Sequence, residues 1–131
     1  MNAAVGNARV ASDLMLGAPK TLRGDASVEE VRAVLANPKV QMVLLADGQT
    51  FRGAVTAIPA EAGAAEPALA YADPQPETIA PDASAATAFE RAMASPHRRV
   101  IVLDGDQNLL GLLCLNAKRT GFCQTPSRTG D

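Results

Sequence analysis

Few residues in this 131-residue chain have the chemistry of an active centre. Its one histidine, His97, follows a helix-stopping proline and stands beside Arg98 and Arg99. A catalytic imidazole needs a nucleophile and an orienting carboxylate around it, and no Ser/His/Asp grouping accompanies this one. One His with two separated cysteines, Cys114 and Cys123, falls short of the ligand set of a structural zinc site. Two cysteines are also too few for a disulfide framework. Cys114 lies in so apolar a stretch that a buried, inert thiol is expected, whereas Cys123 lies in a polar tail. The carboxylates Glu29, Glu30, Asp47, Asp104 and Asp106 fall on helix faces or turns and read as solvated groups. Asp104-Gly105-Asp106-Gln107-Asn108 has some calcium-loop character, but it lacks the flanking helices and distant Glu of an EF-hand, so a hairpin turn is expected. Arg98 and Arg99 remain. A guanidinium donates in a planar fork that suits phosphate, and basic residues at a strand entrance also serve simply as solvated surface. Lys118 and Arg119 carry the same two readings.

Composition narrows what can position these groups. Hydrophobic residues make up 47% of the chain, enough for one domain with a real core. Aromatics are only 3% and tryptophan is absent, so that core is built from Val, Leu, Ala and Met. Base-stacking platforms for single-stranded nucleic acid are thereby scarce. A net charge of −2 also argues against a duplex-binding face. The longest apolar run, 109–115, is far too short to span a bilayer. Residues 1–10 lack the charged-then-apolar order of a signal peptide, and a cytoplasmic location is expected.

An internal repeat organises the chain. Thr21-Leu-Arg-Gly-Asp25-Ala-Ser27 matches Thr78-Ile-Ala-Pro-Asp82-Ala-Ser84 at an offset of 57. Pro38 and Pro96, Gln49 and Gln107, and Gly53 and Gly111 match at an offset of 58, which implies one inserted residue between the blocks. Each copy predicts the same series. A short extended piece (Thr21-Leu22; Thr78-Ile79) leads to a serine N-cap, and Ser27-Val-Glu-Glu30 is a capping box. Val28, Val31 and Leu35 then share one helical face, as do Ala85, Phe89, Ala92 and Met93. Asn37-Pro38 and Ser95-Pro96 end the helices. Continuous apolar runs at 40–45 and 99–103 predict strands covered on both faces. Asp47-Gly48 and Asp104-Gly105 signal hairpins, returning along 51–56 and 109–115. The Ala- and Pro-rich stretch between the copies predicts a short helix near 66–72 and an extended Pro74-Gln-Pro76. Its small residues suit a self-association surface.

Two such strand–helix–strand–strand units, preceded by Val10-Ala-Ser-Asp-Leu-Met15, resemble a tandem cystathionine-β-synthase (CBS) domain pair, the Bateman module. The resemblance covers about residues 8–119: repeat one about 8–59, linker and short helix 60–77, repeat two about 78–119. Residues 1–7 and 120–131 are expected to be disordered tails. It implies an α/β fold in which two βαββ-type CBS repeats pack with pseudo-twofold symmetry, commonly as a homodimer. It also implies a regulatory, non-catalytic module with no required cofactor. Clefts between the copies in this family take adenosine-containing ligands such as AMP, ADP, ATP or S-adenosylmethionine.

The family's ligand motif, Gly-hydrophobic-x-Thr/Ser-x-x-Asp, ends the last strand of each copy. Its hydroxyl holds phosphate and its Asp accepts from both ribose hydroxyls. Here the first copy reads Gly53-Ala-Val-Thr56-Ala-Ile-Pro59, keeping the Thr and replacing the Asp. The second reads Gly111-Leu-Leu-Cys114-Leu-Asn-Ala117 and lacks both groups, with Asn116 one position from the Asp as a weak substitute. Losing such a charge-assisted bond costs on the order of 1.5–3 kcal/mol, roughly tenfold to hundredfold in affinity. In compensation, His97-Arg98-Arg99-Val-Ile-Val resembles the family's phosphate-contacting segment, with Val40 and Gln41 in the matching places of copy one. The implied ligand-binding residues are therefore Thr21, Thr56, Thr78, Arg98 and Arg99. The expected function is a stand-alone regulatory module sensing an adenine nucleotide or other anionic ligand. The alternative is a dimeric interaction scaffold, with an unknown protein partner, that binds no ligand.

Overall fold

Ser27 and Ser84 each start a helix by accepting a backbone N–H three residues on. The Ser27 hydroxyl takes the Glu30 N–H at 3.2 Å, and the Glu30 carboxylate returns the bond to the Ser27 N–H at 2.9 Å, closing the capping box. Ser84 accepts from the Thr87 N–H at 3.1 Å. In this computed structural model, which describes residues 9–17, 19–116, 118 and 120–122, the chain forms two compact units. The repeat-one unit is Lys20–Pro76; the repeat-two unit joins Met1–Pro19 to Glu77–Asp131.

The elements in chain order are α1 (Ala11–Leu14), β1 (Leu16–Gly17), β2 (Thr21–Leu22), α2 (Val28–Leu35), β3 (Val43–Asp47), β4 (Thr50–Val55), a 3-10 helix (Ala68–Tyr71), β5 (Thr78–Ile79), α3 (Ala85–Ala94), β6 (Arg99–Leu103) and β7 (Leu109–Cys114). The repeat-one unit has a sheet of order β2-β3-β4, with β2 parallel to β3 and β4 antiparallel to it. In the repeat-two unit β5, β6 and β7 repeat that order and those senses, and β1 is added antiparallel along β7. Helix α2 buries Val28 and Val31; α3 buries Ala88 and Ala92, whose small side chains suit a close approach to the sheet. The core strands are covered on both faces: Val43–Ala46 and Val100–Leu103 are buried throughout.

The register refines where the copies differ. Leu44 pairs with Thr21 and Ile101 with Thr78, so β3 and β6 correspond at an offset of 57. Leu45 then faces Gly53, and Val102 faces Gly111, an offset of 58 on the return strands. The inserted residue that sets the return strands lies in the hairpin turn. A bulge sits at the same point in both: Arg52 and Leu110 are skipped in the pairing. Strand β3 begins at Val43 rather than Val40. The turn after α2 closes with the Val40 N–H on the Asn37 carbonyl at 2.9 Å, and 41–42 carry the chain on to the sheet.

Each unit is completed by the segment that precedes the other copy. The Ala11 N–H bonds the Ala83 carbonyl at 2.8 Å, and 57 residues on the Ala68 N–H bonds the Ala26 carbonyl at 2.9 Å. The first helical N–H of each long helix follows suit, Ala85 to the Arg9 carbonyl and Val28 to the Glu66 carbonyl. The segment 10–15 therefore packs on repeat two, where the sequence places it at the head of repeat one. Glycines make room for these segments. A Cβ on Gly53 would meet Leu69 Cδ1 at 2.9 Å, and one on Gly111 would meet the Leu16 carbonyl oxygen at 2.7 Å.

The fold also continues past Arg119. Leu115 bridges to Phe122, which packs on the repeat-two core with its ring edge-on to Phe89 at 6.1 Å. An apolar ring that buries area against the core outweighs the polarity of its neighbours, so 120–122 are ordered where a disordered tail is expected. The expected tails at 1–7 and 123–131, like Cys123, lie outside the described residues. Cys114 is disulfide-bonded rather than an inert thiol.

Candidate functional site

A tight turn carries the two arginines. Ser95 ends α3 and Pro96, lacking an N–H, cannot continue it. The next three N–H groups all turn back to Ser95: His97 to its hydroxyl at 3.2 Å, Arg98 to its carbonyl at 3.1 Å, Arg99 to its hydroxyl at 3.3 Å. Arg98 takes the left-handed conformation, with φ of 58°, which is unfavourable for a residue with a Cβ. Leu115 grips it twice, its N–H on the Arg98 carbonyl at 2.9 Å and its carbonyl on Arg98 Nη1 at 2.9 Å. Arg99 opens β6 opposite Cys114, and its Nη1 donates to the carbonyls of His97 and Arg98.

Neither guanidinium has a carboxylate partner among the described residues. Burial, and then the adjacent Arg98 charge, hold the Arg99 guanidinium below its ordinary value. The turn thus brings together two guanidinium groups that meet carbonyls and no carboxylate among the described residues. An arriving anion would relieve that cost.

The threonines divide between the units. Thr78, half-buried on β5, pairs with Ile101, two residues along β6 from Arg99. Its carbonyl accepts from Arg91 Nη1 at 2.7 Å. Thr21, exposed on β2, and Thr56, half-buried just past β4, belong to the repeat-one unit. Thr78 thus shares a unit with Arg98 and Arg99, and Thr21 shares the other with Thr56.

Thr21 also lines an open depression of about 320 Å³ with Leu22, Arg23, Asp25, Ala26 and Glu30. Sequence reasoning placed Thr21 at a site and missed the other five. Arg23 forms a fork with Asp25, Nε to Oδ1 at 3.0 Å and Nη2 to Oδ2 at 2.9 Å. That bond raises the Arg23 value and lowers that of Asp25. With the two side chains 81% and 70% exposed, the pair is easily exchanged for other partners. Beside it the Gly24 N–H is held by Asp47 Oδ1 at 3.0 Å, and Arg52 by Asp47 Oδ2 at 2.7 Å.

Around the position of the missing ribose clamp, the described side chains are tied into local bonds. Asn116 is engaged: its carbonyl oxygen accepts the Thr120 N–H at 3.0 Å and its amide donates to the Thr120 hydroxyl at 3.2 Å. A ribose would therefore have to displace Thr120 to reach it. Ala117 lies outside the described residues. In the other copy the Pro59 carbonyl accepts from Arg32 Nη2 at 2.8 Å, with those of Ala60 and Ala62 at 3.1 and 3.0 Å, tying the loop to α2. The Asp104 turn is a hairpin. Its Oδ1 accepts the N–H groups of Asp106 and Asn108, its Oδ2 the Asn108 amide, and no metal-binding group of His, Cys, Asp or Glu occurs among the described residues.

Residues 69–116 match the sequence model of the CBS domain. In three dimensions the chain is similar to the cystathionine β-synthase pair domain of a Shewanella oneidensis MR-1 protein, with a TM-score of 0.72 and 13% identity, covering 83% of this chain and 67% of that one. The fold is that of a tandem CBS pair. The CBS-pair protein CBSX2 from Arabidopsis thaliana is also similar (TM-score 0.67, 19% identity, 82% of this chain and 89% of that chain). So is CBSX2 in complex with AMP (0.66, 18%, 80% and 89%). No curated protein matches this chain in sequence. No helix among its described residues is long and apolar enough to cross a membrane.

Proposed function

We propose that this CBS pair is a stand-alone, non-catalytic regulatory module, dimeric and cytoplasmic, that senses an adenine nucleotide or another anionic ligand. The folded module runs over about residues 8–119, extended by the contacts of Phe122. Arg98 and Arg99 hold phosphate, and Thr21, Thr56 and Thr78 contribute hydroxyl and backbone contacts. The observation that carries the reading is the pair of adjacent guanidinium groups, partly buried and without a carboxylate partner among the described residues. The AMP complex of the structurally similar CBSX2 supports the ligand class. Regulation follows if the ligand binds one conformation of the module better than another and shifts the population by that difference.

Thermal unfolding with and without AMP, ADP, ATP and S-adenosylmethionine tests it. A ligand at 100 times its Kd adds about 2.7 kcal/mol, several degrees in Tm at this size. Arg99→Ala is expected to abolish the selective shift; an unchanged shift would remove the arginines from the site.

A second reading, a dimeric scaffold that binds no ligand and acts through a protein partner, is favoured by the ribose side. Pro59 replaces one Asp, with its carbonyl tied to Arg32, and the Asn116 amide is engaged by Thr120. No shift with any of the four ligands supports that reading.

A further inference from the structure

The Ser95 hydroxyl is an unusual group for the position it occupies. It is the one polar side chain among the described residues that is buried, at 4% exposure. It accepts two N–H groups, from His97 and Arg99, on either side of the strained Arg98. Copy one has the same turn two bonds strong. Asn37 Oδ1 accepts from the Lys39 N–H at 2.9 Å and the Asn37 carbonyl from the Val40 N–H at 2.9 Å, but the side chain is exposed. The third bond, to the N–H of the first strand residue, occurs only at Ser95. So does the left-handed residue: Val40 is absent from the residues with positive φ. The extra bond and the strained conformation thus come together, in the copy that carries the arginines.

From this we infer that Ser95 is a positioning residue for anion binding. By holding the His97 and Arg99 N–H groups on one oxygen, it keeps Arg98 left-handed and so sets where both guanidinium groups point. The inference rests on the proposed role of Arg98 and Arg99. Without the hydroxyl, two partly buried N–H groups lose their acceptor, and Arg98 has less reason to remain in a conformation unfavourable for its type. The arginines then remain present but are no longer pre-organised. Loss of pre-organisation weakens the ligand groups they touch and leaves contacts elsewhere alone.

Calorimetric titration of ATP and AMP into wild type, Arg99→Ala, Ser95→Ala and Ser95→Thr, at a temperature where all four are folded, tests this. Ser95→Ala is expected to weaken ATP roughly fivefold to tenfold, to weaken AMP less, and to flatten the dependence of ATP affinity on salt. Ser95→Thr, which keeps the acceptor oxygen, is expected to retain most of the affinity. Amide exchange at His97 and Arg99 should quicken in Ser95→Ala and not in Ser95→Thr. A purely structural role would lower Tm and leave the ATP-to-AMP affinity ratio and the salt dependence unmoved; that result overturns the inference. If Arg99→Ala weakens ATP while Ser95→Ala does not, the arginines bind and Ser95 does not position them. If Arg99→Ala leaves ATP binding untouched, or wild type takes up neither nucleotide, the underlying reading fails and the positioning role falls with it.

Discussion

In the repeat-two unit the leading segment joins the sheet as strand β1, with Leu16 opposite Leu112 and Gly17 opposite Gly111. Its counterpart in the repeat-one unit reaches the same edge with a single bond, from the Asp73 N–H to the Ala54 carbonyl at 2.8 Å. The reason is in the residues that follow. Pro74 and Pro76 have no N–H to give to the ladder, so the edge of β4 stops at one bond. Equivalent positions in a repeat thus share their packing, and proline decides whether they also share hydrogen bonds.

The largest test of that contrast is at the paired glycines. Gly111→Ala places a methyl group 2.7 Å from the Leu16 carbonyl oxygen and against Met15. Backbone held in a ladder cannot step aside, so a cost of about 3 kcal/mol is expected, roughly 10 °C in Tm. At Gly53 the obstacles are a flexible Leu69 methyl at 2.9 Å and the Ala72 Cβ at 3.1 Å. Gly53→Ala is therefore expected to cost only about 1 kcal/mol. Equal losses in the two melting curves would mean that the strand pairing of β1 adds no rigidity.

The helix starts offer a smaller contrast. Ser27 both accepts the Glu30 N–H and has its own N–H held by Glu30, whereas the Ser84 hydroxyl bonds Thr87 without a returning carboxylate. Ser27→Ala should cost about 1.5 kcal/mol and Ser84→Ala about 1 kcal/mol. Urea midpoints at constant slope will show it. The reverse order would leave the Glu30 bond without a stabilising part.

These caps were legible in the sequence because a cap is a local device: a serine just before the helix, joined at Ser27 by a glutamate three residues on. So were the two-residue strands at Thr21 and Thr78 and strand β6, where turn residues and apolar runs mark both ends. The crossing of the leading segments was not legible. It depends on Ala11 meeting Ala83 and Ala68 meeting Ala26, pairings far apart in the chain that no short pattern encodes. Phe122 was hidden for the same reason, as one aromatic among polar neighbours. At the site, the residue types that suit phosphate were legible, since guanidinium chemistry is a property of the side chain. Their support was not. Ser95 reads as a helix stop, and only the fold shows its hydroxyl buried beneath two N–H groups. The depression beside Thr21 forms where a turn brings Arg23, Asp25 and Glu30 around one strand end, which spacing alone does not announce.

The copy-two hairpin responds to acid through Asp104. Its carboxyl lies below the ordinary 3.8, chiefly because the Asn108 N–H and then the Asn108 amide bond its charged form. A depressed carboxylate contributes stability that is present above its unfolded value and lost as pH falls through the lower folded value. Below about pH 4, amide protection at Asp106 and Asn108, taken relative to the free-chain rate at the same pH, should therefore fall, and Asp104→Asn should lower it already at pH 7. Protection that holds at neutral pH in Asp104→Asn would show that the charge is irrelevant to the turn.

The smallest effect expected has opposite signs in the two hairpins. In copy one the left-handed turn position is Gly48, with φ of 63°; in copy two it is Gln107, with φ of 67°. A Cβ in this conformation costs about 1–2 kcal/mol, while glycine costs about 0.5–1 kcal/mol through the greater freedom of its unfolded chain. Gly48→Ala should thus destabilise by about 0.5–1 kcal/mol, the steric cost outweighing the entropic gain. Gln107 is exposed, and its N–H bond to the Asp104 carbonyl at 3.1 Å belongs to the backbone, so glycine keeps it. Gln107→Gly should stabilise by about 0.5 kcal/mol, a rise of roughly 2 °C in Tm. A loss instead would mean that the inserted residue of copy two, which makes its turn one longer, already holds the left-handed conformation without strain.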